Sequence, residues 1–563
     1  MMAANDVVIL QSPVDIDNKS HVISLTPTQI IVEGCWRAPG DDSTTPEPVF
    51  RRLNNLLELQ EVIGVQLEQQ HVNKDRFKRK DGTKVYLCIE MQQMHSSAFC
   101  VYYVKRQTKH RWRHKKMVFN CKDHSTAQMW VDKILYLLQG PEFHRPKRLL
   151  VFVNPFGGRK KGPSVYNNKV APLFELAGIS TEVIMTERQN HAKEVLQDYN
   201  LDTIDGVVCV GGDGTFSEVL NGLLDRSTKE GGVNQETHHH PIPPKLRVGI
   251  IPAGSTDAIV YTSVGINDPI TSAIHIIIGD SVGMDVCALY NRNQFIKYSV
   301  SMIAYGYYGD LLEDSMGLRW MGPARYNWCG FKKFLANNSY EGEVSFLLSA
   351  ESESHPRDGT RCNAGCNMCA KASERNREYS RSGVTRPFTQ VGADGWHKVR
   401  GKFLGINSFS MSCRTAMTPE GVSPATHLGD GCLDLCIIDN CSRIDFLRHL
   451  HRCADKQADQ FDFSFIQVFR VKEFRFHPLF ESDVEEAEEA TTLASTSVMR
   501  NRLGHKQLKS PHNSVWNIDG ELVTSPDLHV RVHTQLISLF ARGVEKIGKD
   551  PVLNCPPCCT SCE

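Results

Sequence analysis

Three apolar runs that each end in a glycine-containing loop constrain the fold of this chain more than any other feature of its sequence. The runs RLLVFV, GVVCV and LRVGII lead into the loops NPFGG, GGDGT and PAGST, and helical patterns lie between them. Buried apolar strands that alternate with helices indicate a parallel α/β sheet. Because ligands bind beyond the carboxyl ends of such strands, the sequence predicts a site built from the three loops.

The loop GGDGT sets an acidic residue among glycines that suit an anion. Gly211, Gly212 and Gly214 let backbone N–H groups approach a phosphate, and the helix that follows presents its positive end. NPFGGRKKG is not a Walker A motif, because Pro163 stands where that motif needs its lysine. The residues alone leave three roles open for Asp213, which can take a proton, hold a metal or only turn the chain.

The composition excludes several classes of protein. Lys plus Arg and Asp plus Glu both number 64, so no net charge favours a nucleic-acid partner. No apolar run reaches the roughly 18 to 20 residues of a membrane-spanning helix, and the N-terminus lacks a basic region before an apolar core. In a long chain of this kind, the 19 cysteines are expected to stay reduced. These features predict a cytoplasmic protein.

Shifts in sequence pattern divide the chain into four predicted regions. Residues 1–140 contain short strands such as AFCVYYV, closed by the helix of DHSTAQMWVDKILYLLQG, and this arrangement resembles a pleckstrin-homology (PH) domain. Residues 146–284 carry the α/β pattern of a nucleotide-binding domain. Residues 285–545 alternate apolar and polar positions, which predicts an antiparallel β-sandwich with disordered insertions near 351–387 and 481–514. Residues 546–563 form a cysteine-rich tail.

A basic segment, VKRQTKHRWRHKK, occupies residues 104–116 of the PH-like region. It lies where such domains often present charge that binds phosphoinositides. A solvated basic hairpin is the alternative. Because it lacks aromatic interleaving beyond Trp112, the segment does not indicate a nucleic-acid partner.

The blocks NPFGGRKKG, TERQNHA, VCVGGDGTFSEVLNGL and PAGSTD resemble, in this order, the signatures of the diacylglycerol-kinase-like catalytic fold. The later blocks YGYYGDLLEDSMGLRWMGPARY and NIDGELV complete the set. This superfamily includes diacylglycerol, sphingosine and ceramide kinases. The PH-like region, the sequence GSTDA in place of GSGNA, and the motif Cys362-x3-Cys366-x2-Cys369 make the chain resemble the ceramide kinase family in particular.

This resemblance implies an ATP- and Mg²⁺-dependent lipid kinase that phosphorylates the primary hydroxyl of ceramide, with Asp213 as the base and Ca²⁺ as a regulatory ion. The residues assigned to ATP are Asn154, Pro155, Phe156, Thr186, Glu187, Arg188, Gln189, Asn190, Glu218, Ser255, Arg319, Arg325, Asp519, Gly520 and Glu521. The residues assigned to the lipid substrate are Gly211, Gly212, Asp213, Gly214 and Asp310. Ceramide and membrane lipids are the implied partners, with the protein peripheral on the Golgi and plasma membranes.

The spacing of Cys362, Cys366 and Cys369 is typical of metal ligands, and a structural Zn²⁺ needs a fourth. Cys413, Cys432 or a histidine can supply it. Ordinary free thiols are the alternative.

Calmodulin is a further partner that the family resemblance implies. Phe461, Val468 and Phe474 have the 1-8-14 spacing of a calmodulin-binding segment. The segment nevertheless alternates as a strand does, so the sequence favours a strand over a calmodulin-binding helix.

Two other functions stay open at this stage. A sphingosine or diacylglycerol kinase would carry similar blocks, and a catalytically inert adaptor would keep the membrane-targeting domain. Sphingosine kinases often have an aspartate where this chain has Leu312, although Asp310, Glu313 or Asp314 could substitute. The intact glycine loops and Asp213 argue against the adaptor.

Overall fold

The computed structural model describes most of the chain, in two compact units. The described residues are 7–35, 50–68, 96–158, 160–233, 240–292, 294–322, 324–349, 355–382, 395–455, 459–479 and 513–546. Unit 1 comprises Met1–Lys147, Lys169–Ser180 and Ala273–Asp280, and unit 2 comprises Arg148–Asn168, Thr181–Ser272 and Ser281–Glu563.

Unit 1 contains an antiparallel sheet closed by a helix. In the described part of this unit, seven strands pair in the order β4-β3-β2-β1-β7-β6-β5. They are β1 (Leu10–Ile16), β2 (Lys19–Leu25), β3 (Gln29–Cys35), β4 (Phe50–Glu58), β5 (Val62–Leu67), β6 (Ala98–Arg106) and β7 (Trp112–Asn120). Helix α1 (His124–Leu138) begins where the Asp123 carboxylate accepts the N–H of Thr126, and its Trp130 packs on Phe99 in the core. This topology agrees with the predicted PH-like fold.

Unit 2 begins with the parallel strands that the apolar runs predict. These strands are β8 (Arg148–Val153), β9 (Ser180–Met185), β10 (Gly206–Gly211) and β11 (Arg247–Pro252). The helices that alternate with these strands along the chain are α2 (Gly162–Val165), α3 (Ala171–Leu176), α4 (His191–Asp198), α5 (Asp213–Glu230), α6 (Ala258–Val264) and α7 (Pro269–Ile277), of which α3 and the greater part of α7 belong to unit 1. Val210 of β10 pairs with Val153 of β8, and Gly211 pairs with Pro252 of β11, so the three strands end at one level.

The second half of unit 2 is mainly antiparallel. Its strands are β12 (Val282–Asn291), β13 (Gln294–Ser299), β14 (Met302–Gly306), β15 (Tyr340–Leu348), β16 (Trp396–Phe409), β17 (Leu433–Asp439), β18 (Ile466–Pro478), β19 (Trp516–Ile518), β20 (Glu521–Val523) and β21 (Leu528–Leu539). Its helices are α8 (Tyr307–Met316), α9 (Ala324–Ala336), α10 (Asn367–Ser382) and α11 (Arg443–Ala454).

Strand β21 joins the two halves of unit 2 into one hydrogen-bonded sheet. It pairs antiparallel with β12 and β18, and parallel with β11 through Val248 and Leu539. The predicted multidomain fold class is confirmed. The structure also shows that the α/β part and the β-rich part share one hydrogen-bonded sheet, which the sequence did not predict. Within the described ranges, no helix is both long and apolar enough to cross a membrane.

One prediction about the insertions is wrong. Residues 351–387 were expected to be disordered, but α10 occupies Asn367–Ser382. The polar composition of this segment suggests disorder, but contacts with distant parts of the chain stabilise the helix. They include burial of Ala372 and a 3.2 Å hydrogen bond from Asn376 Nδ2 to the carbonyl of Thr534. Of the disorder predicted near 481–514, residues 481–512 lie outside the described residues, whereas Ser514 is described and buried. Of the cysteine-rich tail predicted at 546–563, residues 547–563 lie outside the described residues.

Candidate active site

The three glycine loops meet at the carboxyl edge of the parallel strands. Gly158 has a φ of 56°, and a Cβ there would lie 2.6 Å from the carbonyl oxygen of Ala253. A Cβ on Gly254 would lie 2.5 Å from the Cα of Gly212. Side chains do not fit at these contacts, so the glycines permit the backbones of all three loops to touch.

Asn154 ties the first loop to the second. Its Oδ1 accepts the N–H groups of Phe156 and Gly157 at 2.8 and 3.0 Å, which closes a tight turn. Its Nδ2 donates to the Thr215 hydroxyl at 2.8 Å. The predicted ATP ligand Asn154 is therefore a residue that orders the loops around the site.

Asp213, the first residue of α5, contacts the third loop. Its Oδ2 accepts the N–H of Ala258 at 3.0 Å and its Oδ1 accepts that of Ile259 at 3.1 Å. These are the first residues of α6, so the carboxylate caps that helix. Burial raises the pKa of Asp213, the α6 amides partly offset this, and the charge of Asp519 raises it further.

Asp257 is a second acid beside Asp213, and no role was predicted for it. It is fully buried in the left-handed region, with φ of 54°. Its Oδ1 accepts the N–H of Gly254 at 3.0 Å, and its Oδ2 accepts Asn267 Nδ2 at 2.8 Å. Burial and then the negative charge of Asp213 raise the pKa of Asp257 to about 6. The sequence signal was its place directly after the PAGST loop.

The segment 186–190 and Glu218 lie on the other side of α5. Thr186 is buried and donates its N–H to the Val153 carbonyl at 2.9 Å, which fixes the segment against β8. Burial raises the pKa of Glu218, while the amides of Asn190 and Ala192 lower it. Glu218 therefore joins α5 to the start of α4. Glu187, Arg188, Gln189 and Asn190 are exposed.

Asp519 orders a turn of the β-rich half. Its two oxygens accept hydrogen bonds from the hydroxyl and amide groups of Ser299, Val300 and Ser301, at 2.5 to 3.0 Å. These residues link β13 to β14. The carboxylate is thus committed to holding the turn, and its predicted contact with ATP stays a prediction. Gly520 completes the exposed β19–β20 turn at φ of 85°.

Glu521 pairs with a cation that the sequence did not reveal. Lys297 Nζ lies 2.6 Å from Glu521 Oε2 and 3.4 Å from the hydroxyl of Ser217 on α5. An isolated lysine in a strand carries no motif, so only the fold identifies Lys297 as part of this region. The pair brings the late DGE block to the side of α5.

Two predicted ligands form hydrogen bonds with residues that are not part of the three loops. Arg325 Nη2 donates to the Tyr326 hydroxyl at 2.6 Å, and buried Asp310 accepts hydrogen bonds from Tyr340 and Ser514. In the part of the chain that the structure describes, no hydrogen bond or ion pair joins either residue to the three loops. The side chain of Arg319 lies outside the described residues, whereas Pro155, Phe156 and Ser255 lie on the loops themselves.

The cysteine motif forms a compact group with a histidine. One ligand atom from each of Cys362, Cys366, Cys369 and His427 lies within 4.8 Å of all the others. Sequence analysis anticipated a fourth partner but did not select His427, which comes from the loop between β16 and β17.

The loops and their acids fit a nucleotide and a divalent cation. Gly212, the N-cap residue of α5, has no side chain to cap the helix, and a Cβ on Gly214 would meet no described atom within 4 Å, so this end can accept phosphate. Burial raises the pKa of Asp213, Asp257 and Glu218, and a bound divalent cation would offset the cost of their charge.

Comparison with known proteins gives the same three-part division. Family models match as the Ceramide kinase PH domain at 11–134, the Diacylglycerol kinase catalytic domain at 148–289 and the Ceramide kinase C-terminal domain at 301–558. The chain is 41% identical to a ceramide kinase of Homo sapiens over 550 residues, covering 96% of this chain and 97% of that protein. It is 40% identical to a ceramide kinase of Mus musculus, covering 95% and 98%. A solved putative diacylglycerol kinase from Bacillus anthracis str. Sterne is similar over 70% of this chain and 97% of that one, at 12% identity and a TM-score of 0.43.

Proposed function

The chain belongs to the ceramide kinase family, and from this premise we propose that Asp213 is the general base of the transfer it catalyses. The protein is an ATP-dependent lipid kinase that phosphorylates ceramide, and its relatives support ceramide over the sphingosine and diacylglycerol alternatives. Its reaction needs ATP and a divalent metal, and its PH domain binds membrane lipid. The proposal concerns which residues carry out this reaction.

The position of Asp213 carries the proposal. The carboxylate lies where the three loops meet, and two α6 amides fix its orientation. Each oxygen accepts one of these bonds and keeps a second lone pair, which can accept the proton of the ceramide primary hydroxyl. Because burial raises its pKa, the carboxylate is a stronger base than an ordinary aspartate at neutral pH.

The loop glycines and the α5 N-terminus hold the phosphates of ATP on this proposal. Backbone N–H groups there supply the positive ends of peptide dipoles without any Walker lysine. We propose Mg²⁺ as the divalent ion, held by Asp257 together with phosphate oxygens and neutralising charge on the γ-phosphate when bound. Asp257 suits this task because burial and the charge of Asp213 raise its pKa, a cost that a cation removes.

The PH domain supports a finer proposal about membranes. Lys105, Lys109, Arg111 and Lys115 are exposed on β6, β7 and their connecting turn. We propose that they bind phosphoinositide headgroups, which would bring the protein to the Golgi and plasma membranes. Two other cations of the segment form ion pairs: Arg106 lies 2.6 Å from Glu61, and Lys116 lies 2.8 Å from Glu68.

Calmodulin and regulatory Ca²⁺ receive no support from the structure. The predicted anchors Phe461 and Phe474 are both buried, and the segment enters strand β18. A calmodulin target of the helix-in-groove kind must present an amphipathic helix, which β18 does not provide. The strand prediction for this segment is confirmed.

The Asp213→Asn variant tests the proposed base. We expect kcat for ceramide to fall by ~10²–10⁴-fold while ATP affinity changes little. The asparagine keeps one acceptor for the α6 amides and loses the other, at a stability cost of about 1 kcal/mol. The pH profile of kcat/KM distinguishes a base from a purely structural residue. If Asp213 is the base, the decrease of kcat/KM at acidic pH should disappear in the variant. Unchanged turnover, or recovery at high Mg²⁺, would contradict the proposal.

A further inference from the structure

We propose that Cys362, Cys366, Cys369 and His427 bind one Zn²⁺ ion in a closed structural site. The geometry of the four side chains, their surroundings and their ligand chemistry support this site independently of the catalytic proposal. The site would fasten α10 and the loop before β17 to the strand that joins the two halves of unit 2.

The distances suit a tetrahedral ion. The Sγ atoms of Cys362 and Cys369 are 3.7 Å apart, and Cys366 Sγ lies 3.2 Å from His427 Nδ1. Zn–S bonds of ~2.3 Å in a tetrahedron place two sulfurs about 3.8 Å apart. A disulfide needs sulfurs at about 2.05 Å, so the pair is spaced as metal ligands and not as a covalent bridge.

Two separate segments supply the ligands. Cys362 and Cys366 precede α10, and Cys369 lies in its first turn, whereas His427 follows β16 far along the chain. His427 is only 2% exposed and faces the sulfur atoms. The imidazole of His427 faces three thiols and not apolar side chains, so packing in an apolar core does not explain its burial. Binding a metal does.

Neighbouring groups hold the ligands in orientation. The hydroxyl of Thr360 lies 3.3 Å from His427 Nε2, which leaves Nδ1 as the nitrogen facing the sulfurs. The N–H of Leu428 donates to Cys362 Sγ at 3.3 Å, an interaction that stabilises a thiolate. Such outer partners are typical of metal sites and fix both the ring and the charge of the ligands.

The donor set selects the metal. Thiolates are soft ligands and imidazole is a borderline one, and a four-coordinate set of three cysteines and one histidine is among the common structural Zn²⁺ sites. Binding would exchange the three thiol protons for the ion, which leaves a net charge of about −1. The other candidates do not complete the set as well, because the Cys432 thiol donates to Ser349 Oγ at 3.1 Å instead.

The site is attached to strand β21. Gln535 Nε2 donates to the carbonyls of Cys369 and Gly429, both at 2.7 Å. Gln535 lies on β21, which pairs with parallel β11 and with antiparallel β12 and β18. A metal there would stabilise the junction between the nucleotide-binding strands and the β-rich half without touching either substrate.

Metal analysis of the purified full-length protein tests the proposal. We expect about one zinc per chain by mass spectrometry of the element, without zinc added during purification. The His427→Ala variant is expected to hold less than about half of that amount. Cys432→Ala is the matched control, because it removes a nearby buried thiol that is not a ligand, and it should keep about one zinc.

Two measurements on the unaltered protein remain decisive if the variant does not fold. After exchange of zinc for Co²⁺, we expect thiolate-to-metal charge-transfer absorption and intense tetrahedral d–d bands. A chelator should also expose Cys362, Cys366 and Cys369 to alkylation. Absence of zinc together with no Co²⁺ uptake would overturn the proposal. So would alkylation that is equal with and without chelator, or a mass lower by two hydrogens, which indicates a disulfide.

Discussion

The glycine loops and the cysteine–histidine cluster are built by opposite means. In the loops, bare backbone creates the site, as where Gly254 approaches Gly212 so closely that a Cβ would lie 2.5 Å from a Cα. In the cluster, side-chain atoms create it, and the backbone serves only to bring Cys366 and His427 together. Adding an atom to the loops should therefore lower stability and weaken ATP binding. The cluster should instead be destabilised when an atom or a charge is removed from it or its surroundings.

The largest expected effect is on the side-chain-built region. Asp434 is buried, pairs with Arg470 at 2.8 Å, and accepts the hydroxyls of Ser423 and Thr426 in the loop that carries His427. Asp434→Asn would remove the carboxylate that pairs with buried Arg470 and leave its charge to the weaker attraction of Asp430. We expect the free energy of unfolding to fall by about 3–5 kcal/mol, measured by urea denaturation.

Glu341→Gln is the matched control for Asp434→Asn. Glu341 faces Lys402 at 3.8 Å with both side chains more than half exposed, so its pairing should contribute less than about 1 kcal/mol. Equal effects of the two variants would show that the Asp434 pair is no more important to the fold than a surface contact.

The next effect concerns charge within the loops and depends on pH. Because its pKa is raised to about 6, Asp257 stabilises the native state most below about pH 4, and this contribution is lost as pH rises to about 6. The difference between the native pKa of Asp257 and the ordinary aspartate value corresponds to at most about 3 kcal/mol of stability. We expect Asp257→Asn, without divalent cations, to gain stability relative to the parent protein at pH 7 but not at pH 4.

Urea denaturation at both pH values measures this difference. Carboxylates that do not interact with Asp257 titrate equally in the two proteins and cancel, whereas Asp213 is coupled to Asp257, so the difference reports on this pair of acids. If the difference between parent and variant is the same at pH 4 and pH 7, burial does not penalise the charge of Asp257.

The smallest effect on stability is expected when one methyl group is added to the loops, where backbone atoms form the site. Gly254→Ala must push the second and third loops apart, at a cost of about 1–3 kcal/mol and with weaker ATP binding. Gly214→Ala is the control, since its Cβ meets nothing within 4 Å and lies in the first turn of a helix. Thermal melts should separate the two. A destabilised Gly214 variant, or a neutral Gly254 variant, would break the comparison.

The features that sequence analysis recovered are local in the chain. Strands β8, β10 and β11, their loops and Asp213 each follow from a few consecutive residues, because apolar runs, glycines and helix starts are short-range signals. The three cysteines were found for the same reason.

The features that it missed depend on contacts between distant segments. His427 and Lys297 occur singly, and only the fold brings them beside Cys366 and Glu521. The hydrogen bonds that join Asp519 to Ser299 and Ser301 were missed for the same reason, while the ATP contact of Asp519 stays a prediction. Segment 367–382 looked disordered because its composition is polar and its attachments lie elsewhere in the chain.

Because Asp213 caps α6, the strength of the cap depends on the protonation state of the Asp213 carboxylate. On the proposed mechanism, the carboxylate becomes a carboxylic acid each time a ceramide hydroxyl loses its proton. Hydrogen bonds to an ionised acceptor are roughly twice as strong as those to a neutral one, so the bonds from Ala258 and Ile259 weaken at that moment. The helix that follows the PAGST loop is therefore held less firmly while Asp213 carries the proton than before the transfer.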